Sequence, residues 1–248
     1  MILREDLRPT FESRRKLTIG AQVYRQLRTL IVTGGMTPNQ PISENELALA
    51  LGVSRTPVRE ALGKLEEDGL VQIIPQFGTF VSPIVPEHVY SNQFIREALE
   101  CACLETAAER CTPADTERLR TLIERQRVAI ADDDFFAADE TMHRLLMTIG
   151  GQERAWTVIE SVKLHLDRVR RLAVRNSLKR HMIIQEHETI VTHIAAGNGA
   201  AAVAAMRVHL RGVYAWINAI MQDHPRFFSD PRPSRRGTQP KAEHNPAS

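Results

Sequence analysis

Ser43–Leu70, SENELALALGVSRTPVREALGKLEEDGL, is the stretch whose reading decides the fold. It reads as two short helices joined by a tight turn. Ser43 with Glu46 three positions on fits a capping box, so a helix is expected to start there. Leu47, Ala48 and Leu51 recur at helical spacing, and Gly52 supplies a residue able to turn left-handed and end the helix. Val53 plugs the turn, Ser54 can cap the next helix, and Pro57 falls in its first turn, where a missing N–H costs little. On the second helix Val58, Ala61, Leu62 and Leu65 make one apolar face, while Arg55 and Arg59, one turn apart, share another. A short helix with two arginines at its exposed N-terminal end has the shape that enters the major groove of DNA. The planar fork of arginine can donate to guanine O6 and N7 together.

Taken in register, GVSRTPVREAL with SENELA before it and EEDGLV after it resembles the winged helix-turn-helix of GntR-type bacterial transcription regulators. The resemblance implies double-stranded operator DNA as partner. It implies that Arg55 and Arg59 read bases, that Ser54 and Thr56 sit beside them at the backbone, and that Asn45 lies on the same reading surface. Members of the family often carry arginine at the position of Asn45 and a basic residue near the wing tip, where this chain has Gln76 and Phe77. After Gly69, LVQIIPQFGTFVS gives two β-rich runs around Pro75 and Gly78, a hairpin signal. The resemblance gives Gly78 the role of letting that wing approach DNA closely; closing the turn is the equally physical alternative.

At 248 residues and 43% hydrophobic content the chain can bury a sizeable core, and its formal net charge of +2 excludes a generic nucleic-acid coat. DNA binding must then come from local basic groups. Cys101, Cys103 and Cys111 make no disulfide framework and are expected as thiols in a reducing cytoplasm. The charged start MILREDLR is no signal peptide, and no run is long enough to span a membrane.

The expected fold class is mainly α: an N-terminal winged helix-turn-helix followed by an antiparallel six-helix bundle. Residues 1–17 are expected as a mobile arm, 18–82 as the winged helix, 83–86 as a proline-stiffened linker, 87–224 as the bundle, and 225–248 as a disordered tail. A helix over Ile19–Thr33, ended by Gly34-Gly35, opens the first domain. In the bundle, helices are expected over about 87–110, with Phe94, Ile95, Ala98, Leu99, Ala102 and Leu104 among the apolar positions. The rest follow from Thr112-Pro113 to about 131, from Asp132 to Gly150, to about 175, over about 178–196, and to about 222.

Four polar residues fall on apolar stripes of that bundle. Asp139 and His143 lie one turn apart among Phe135, Phe136, Met142 and Leu146; His187 lies among Ile183, Ile184, Ile190 and Val191; His209 lies among Met206, Leu210 and Val213. A buried carboxylate and buried imidazoles are costly apart. A divalent cation resolves both costs, with Zn²⁺ suited to three histidines and an aspartate, and Mn²⁺ or Ni²⁺ to an octahedral site with open positions. After a GntR-type winged helix, this set resembles the metal-containing FCD effector domains of the FadR-like branch. There an Asp-x-x-x-His pair and single histidines on two later helices hold the ion. His165, near the stripe of its own helix, is the decoy. In FIREALE, Arg96 is either half of an exposed pair with Glu100 or, as the R-x-x-L-E resemblance implies, a contact for the carboxylate of an effector.

These readings converge on a homodimeric, ligand-responsive regulator, not an enzyme. It would bind a palindromic operator and sense a small carboxylic acid at a metal site. A metal-dependent enzyme acting on a small carboxylate, and a purely structural metal, are the rivals.

Overall fold

The computed structural model describes residues 17–175 and 177–229. Among them run ten α-helices and three short strands: α1 (Ile19–Thr33), β1 (Pro41–Ile42), α2 (Glu44–Leu51), α3 (Arg55–Glu67), β2 (Val71–Ile74), β3 (Gly78–Val81), α4 (Pro86–Arg110), α5 (Pro113–Val128), α6 (Asp132–Ile149), α7 (Glu153–Val162), α8 (Leu164–Val174), α9 (Ser177–Ala195) and α10 (Gly199–Asp223). Most of the expected arm lies outside the described residues.

The first three helices and the sheet form the winged helix. The Ser43 hydroxyl accepts from Glu46 N–H at 3.3 Å and Gly52 ends α2 at φ 65°, so the turn is made as the sequence dictates. Val23, Leu27, Ile31, Leu47, Leu51, Val58, Leu62 and Leu65 close its core. The wing hairpin pairs Val71 with Val81 and Ile74 with Gly78. A third strand, β1, adds to it through Pro41 and Ile42.

The helical domain departs from expectation in three places. It holds seven helices rather than six, because the stretch from 153 to 174 breaks at Lys163. There the buried ammonium turns inward to Glu140 and Asp167, at 2.5 and 2.6 Å. On α4, Phe94, Ala98 and Ala102 point outward, and the inward face carries Gln93, Arg96 and Glu100 instead. The reason lies in what α4 meets, since polar groups of α6 and α10 face it. Finally, residues 225–229, expected as tail, form a 3-10 turn and run back along the linker. Ile84 N–H donates to the Phe227 carbonyl at 2.7 Å, and Ser229 N–H donates to the Ile84 carbonyl at 2.9 Å. Residues beyond 229 lie outside the description. A full capping box starts α5, with Thr112 and Asp115 exchanging bonds at 3.1 and 3.2 Å.

The two domains share α8. Leu164 completes the winged-helix core. His165, the expected decoy, stands apart from the other inward histidines and meets the Gly69 carbonyl at 3.2 Å. Burial, then the charge of nearby Arg168, pulls its pKa from the ordinary 6.5 to about 4. A folded-state value below the unfolded one means stability is fully present above pH 6.5 and is lost as pH falls toward 4. The lever is on the order of 3 kcal/mol. In urea titrations between pH 7 and 4.5, His165→Gln, which keeps a donor for Gly69, should flatten part of the wild-type loss. Superimposable pH profiles would refute this.

Candidate metal centre and nucleic-acid interface

Helices α6, α9 and α10 bring Asp139, His143, His187 and His209 to one buried point, with one ligand-capable atom from each lying within 4.8 Å of the others. His187 Nε2 stands 3.3 Å from His209 Nε2 and 3.7 Å from Asp139 Oδ1. Each imidazole is held from behind. His143 Nδ1 meets Glu100 Oε2 at 2.6 Å, His187 Nδ1 meets Gln126 Oε1 at 2.8 Å, and His209 Nδ1 meets Glu186 Oε2 at 2.7 Å. Carboxylate and amide oxygens accept, so each Nδ1–H donates outward and each Nε2 lone pair is turned to the centre.

The electrostatics agree with that protonation. Burial, then the neighbouring imidazole, pushes His187 well below the ordinary range, and burial lowers His209 too. Burial alone would raise Asp139, but Arg170 and the histidines hold it far below the usual carboxylate range. Arg170 engages Asp139 Oδ2, so Oδ1 remains for the centre. Two neutral imidazoles facing lone pair to lone pair at 3.3 Å repel unless a cation lies between them. His143 Nε2, fully buried, has no hydrogen-bond partner. The donor set therefore fits a divalent cation.

Arg96 lies beside this cluster. The exposed-pair alternative fails: Arg96 and Glu100 are 2% and 1% exposed, with Nε 2.5 Å from Oε1. Burial alone would raise Glu100, but Arg96 and His143 hold it down to about 2. Arg96 Nη2 is left without a partner. It lines a cavity of about 20 Å³ together with Asp139, Arg170, His209 and Trp216. That is room for about one water, so anything larger must move the lining.

The sequence reading missed Glu100, Gln126, Glu186 and Arg170 as supports. Gln126 had a signal, falling on the Leu119, Ile123 stripe of α5, and Arg170 had one beside Leu166, Val169 and Ala173.

At the reading surface, Arg55 and Arg59 are exposed at 54% and 61%, and both donate to Glu44 Oε2, at 3.0 and 2.7 Å. These bonds lower the Glu44 pKa. Glu44 opens α2, which sets Asn45, also exposed, next to the arginines. Thr56 is exposed. So is Ser54, whose hydroxyl, against expectation, makes no cap bond although its backbone is extended as at an ordinary N-cap. The first N–H groups of α3 are thus open to solvent. Gly78 stands at the wing with φ 127°, a conformation suited to glycine, after Phe77, 80% exposed.

An arginine-tipped helix-turn-helix with a wing, joined to a helical domain with a buried Asp/His cluster able to hold a metal, has the make-up of a two-domain transcription regulator. Residues 19–81 match the model of bacterial regulatory proteins of the gntR family, and residues 93–212 match the FCD domain. The chain is 38% identical over 208 residues to a Streptomyces ambofaciens HTH-type regulator in an unstable DNA locus, covering 84% of this chain and 88% of that one. It is 37% identical over 215 residues to the Escherichia coli HTH-type transcriptional repressor RspR, covering 86% and 94%. Among solved structures, a GntR regulator from Rhodococcus sp. RHA1 superposes with TM-score 0.68 at 25% identity, covering 81% of this chain and 97% of that one. E. coli McbR/YncC shares the fold, with TM-score 0.68 at 18% identity, covering 84% and 100%. The chain belongs to the GntR family of transcription regulators, in its FadR-like branch with an FCD effector domain. These families are regulators rather than enzymes, which removes the enzymatic rival. No described helix is long and apolar enough to cross a membrane.

Proposed function

We propose that this regulator binds a palindromic operator as a homodimer in the cytoplasm, and that a small carboxylic acid controls it through a divalent cation in the helical domain, Zn²⁺ before Mn²⁺ or Ni²⁺. The observation that carries the reading is the convergence of three Nε2 atoms and Asp139 Oδ1, with every Nδ1 already committed to an oxygen. Asp139, His143, His187 and His209 would hold the cation, which supplies positive charge and open positions for the oxygens of a ligand. Arg96, with a free Nη2 in the adjoining cavity, would take the ligand's carboxylate. That cavity is closed down around roughly one water. Entry of an acid therefore displaces side chains of α10 and α8, which gives the ligand a different affinity for two arrangements of the chain.

At the DNA, Arg55 and Arg59 would read bases in the major groove, and Asn45 would flank them. Ser54, Thr56 and the open N–H groups of α3 would meet phosphate, and Gly78 would let the wing come close. The outward row Phe94, Ala98 and Ala102 is apolar surface fitted to a second copy.

The test is metal analysis of the purified chain, light-scattering mass, and a thermal-shift screen of small carboxylic acids followed by operator titration. The reading expects about one divalent ion per chain, a dimer, and acids that both stabilise the protein and change operator affinity. A metal-replete preparation without bound ion and deaf to every acid would sink it. Glu100→Gln keeps an acceptor for His143 but not the charge. It should weaken the metal about 10–100-fold in competition with a chelator. Unchanged affinity would remove Glu100 from the support.

A further inference from the structure

The junction between the domains holds a guanidinium that neither the metal centre nor the DNA surface uses. Arg168, on α8, is only 4% exposed, and both its Nη atoms are buried with no hydrogen-bond partner. Among the described residues nothing of opposite charge offsets this, and burial lowers its pKa to about 10. A buried, unmatched cation is strongly destabilising unless an anion meets it. Arg168 lines a second cavity of about 20 Å³, which also touches Met36 of the winged helix, Ile84 of the linker and Phe227 of the returning strap. Arg171 and Arg175 line it too, and Arg171 Nε is likewise buried without a partner. Among the described residues, no acidic one contributes to the lining. The wall is otherwise largely apolar, and the space as it stands holds about one water, so a larger occupant must part the lining; a carboxylate with a short hydrocarbon body matches the guanidinium and the wall together.

We propose that this junction is a second ligand site, separate from the effector cavity, and that it takes the carboxylate of a short-chain monocarboxylate against Arg168. Its occupant bridges the winged helix, the linker and α8, and so stiffens the docking of one domain on the other. The proposal does not rest on the metal centre, whose residues lie elsewhere on α6, α9 and α10.

The experiment uses the full chain as purified, with sodium propionate as probe and sodium chloride at matched ionic strength as control. Wild type, Arg168→Met and Arg96→Met are compared by thermal shift, and wild type is crystallised with propionate. Propionate at ten times its dissociation constant should raise the wild-type unfolding temperature by about 3 °C. The rise should persist in Arg96→Met and vanish in Arg168→Met. Without propionate, Arg168→Met should be at least as stable as wild type, because it deletes an unmatched charge. A merely structural arginine would instead leave that variant weaker. In the crystal, a carboxylate should lie within hydrogen-bond reach of Arg168 Nη. The proposal is overturned by an equal rise in Arg168→Met, by a rise lost only in Arg96→Met, by chloride acting as well as propionate, or by water alone beside Arg168.

Discussion

Arg170→Met should cost about 3–5 kcal/mol of folding stability. Arg170 is buried and donates to three carboxylates at once: Asp139, Glu140 at 2.6 Å and Asp167 at 3.0 Å. Methionine fills much of the volume but leaves those acids facing one another with Lys163, bound to Glu140 and Asp167, and the more distant Arg96 to offset them. Chemical denaturation should register the loss, and the unfolding temperature should fall by about 6–20 °C. The pH dependence has a defined sign. Burial alone would raise Glu140, yet Arg170 and Lys163 hold it at about 2, and Asp139 is held low as well. Carboxyls depressed in the folded state give stability that is present above their unfolded range and is lost as pH falls through it. Without Arg170 the folded-state values rise, so the variant should begin to lose stability at a higher pH than wild type. A variant as stable as wild type from pH 7 to 4 would show that the triad carries no weight.

Arg59→Ala should weaken operator binding by about 1–3 kcal/mol, or roughly 5–150-fold, at matched salt. The loss on random DNA should be smaller, because a base contact discriminates while a phosphate contact does not. Arg59 is well exposed and, among the described residues, its acidic partner is the carboxylate of Glu44, shared with Arg55. That acid ties both guanidinium groups to one point before DNA arrives, which lowers the ordering cost at contact. It also competes with the bases, so the measured loss belongs to the lower part of the range if Glu44 stays bound in the complex. Fluorescence anisotropy on the operator nearest the chain's own gene decides the matter. Equal affinity for the variant would move base reading away from α3.

Much of this was readable before any coordinates. The turn from Leu51 to Ser54 is local chemistry: a cap, a left-handed glycine and a proline in a first turn each fix one backbone angle. The inward histidines were legible because a polar residue on an apolar stripe stands out against its neighbours at helical spacing. What was not legible depended on partners far away in sequence. Phe94 reads as core by composition, yet Gln93, Arg96 and Glu100 take the inside of α4 because His143 and the α10 backbone offer them bonds. One is Gln93 Nε2 to the Leu210 carbonyl at 2.6 Å. The break at Lys163 could not be foreseen either, since nothing in ERAWTVIESVKLHLDRV forbids a continuous helix, and one of the two acids that Lys163 meets there, Glu140, comes from α6. The strand β1 is two residues long and exists through pairing to Phe80 and Thr79 alone.

Helix α8 begins with Leu164 inside the winged-helix core and, six positions on, lays Arg170 against Asp139. At 1.5 Å per residue that is about 9 Å of axial travel, less than the width of the helix itself. The buried histidine cluster and the winged-helix core thus meet the same short helix, with no corridor of intermediate residues between them. A tilt of this one stubby rod is felt at both ends at once. Severing the gene between the two halves would leave the DNA-reading piece with a dent where a leucine belonged.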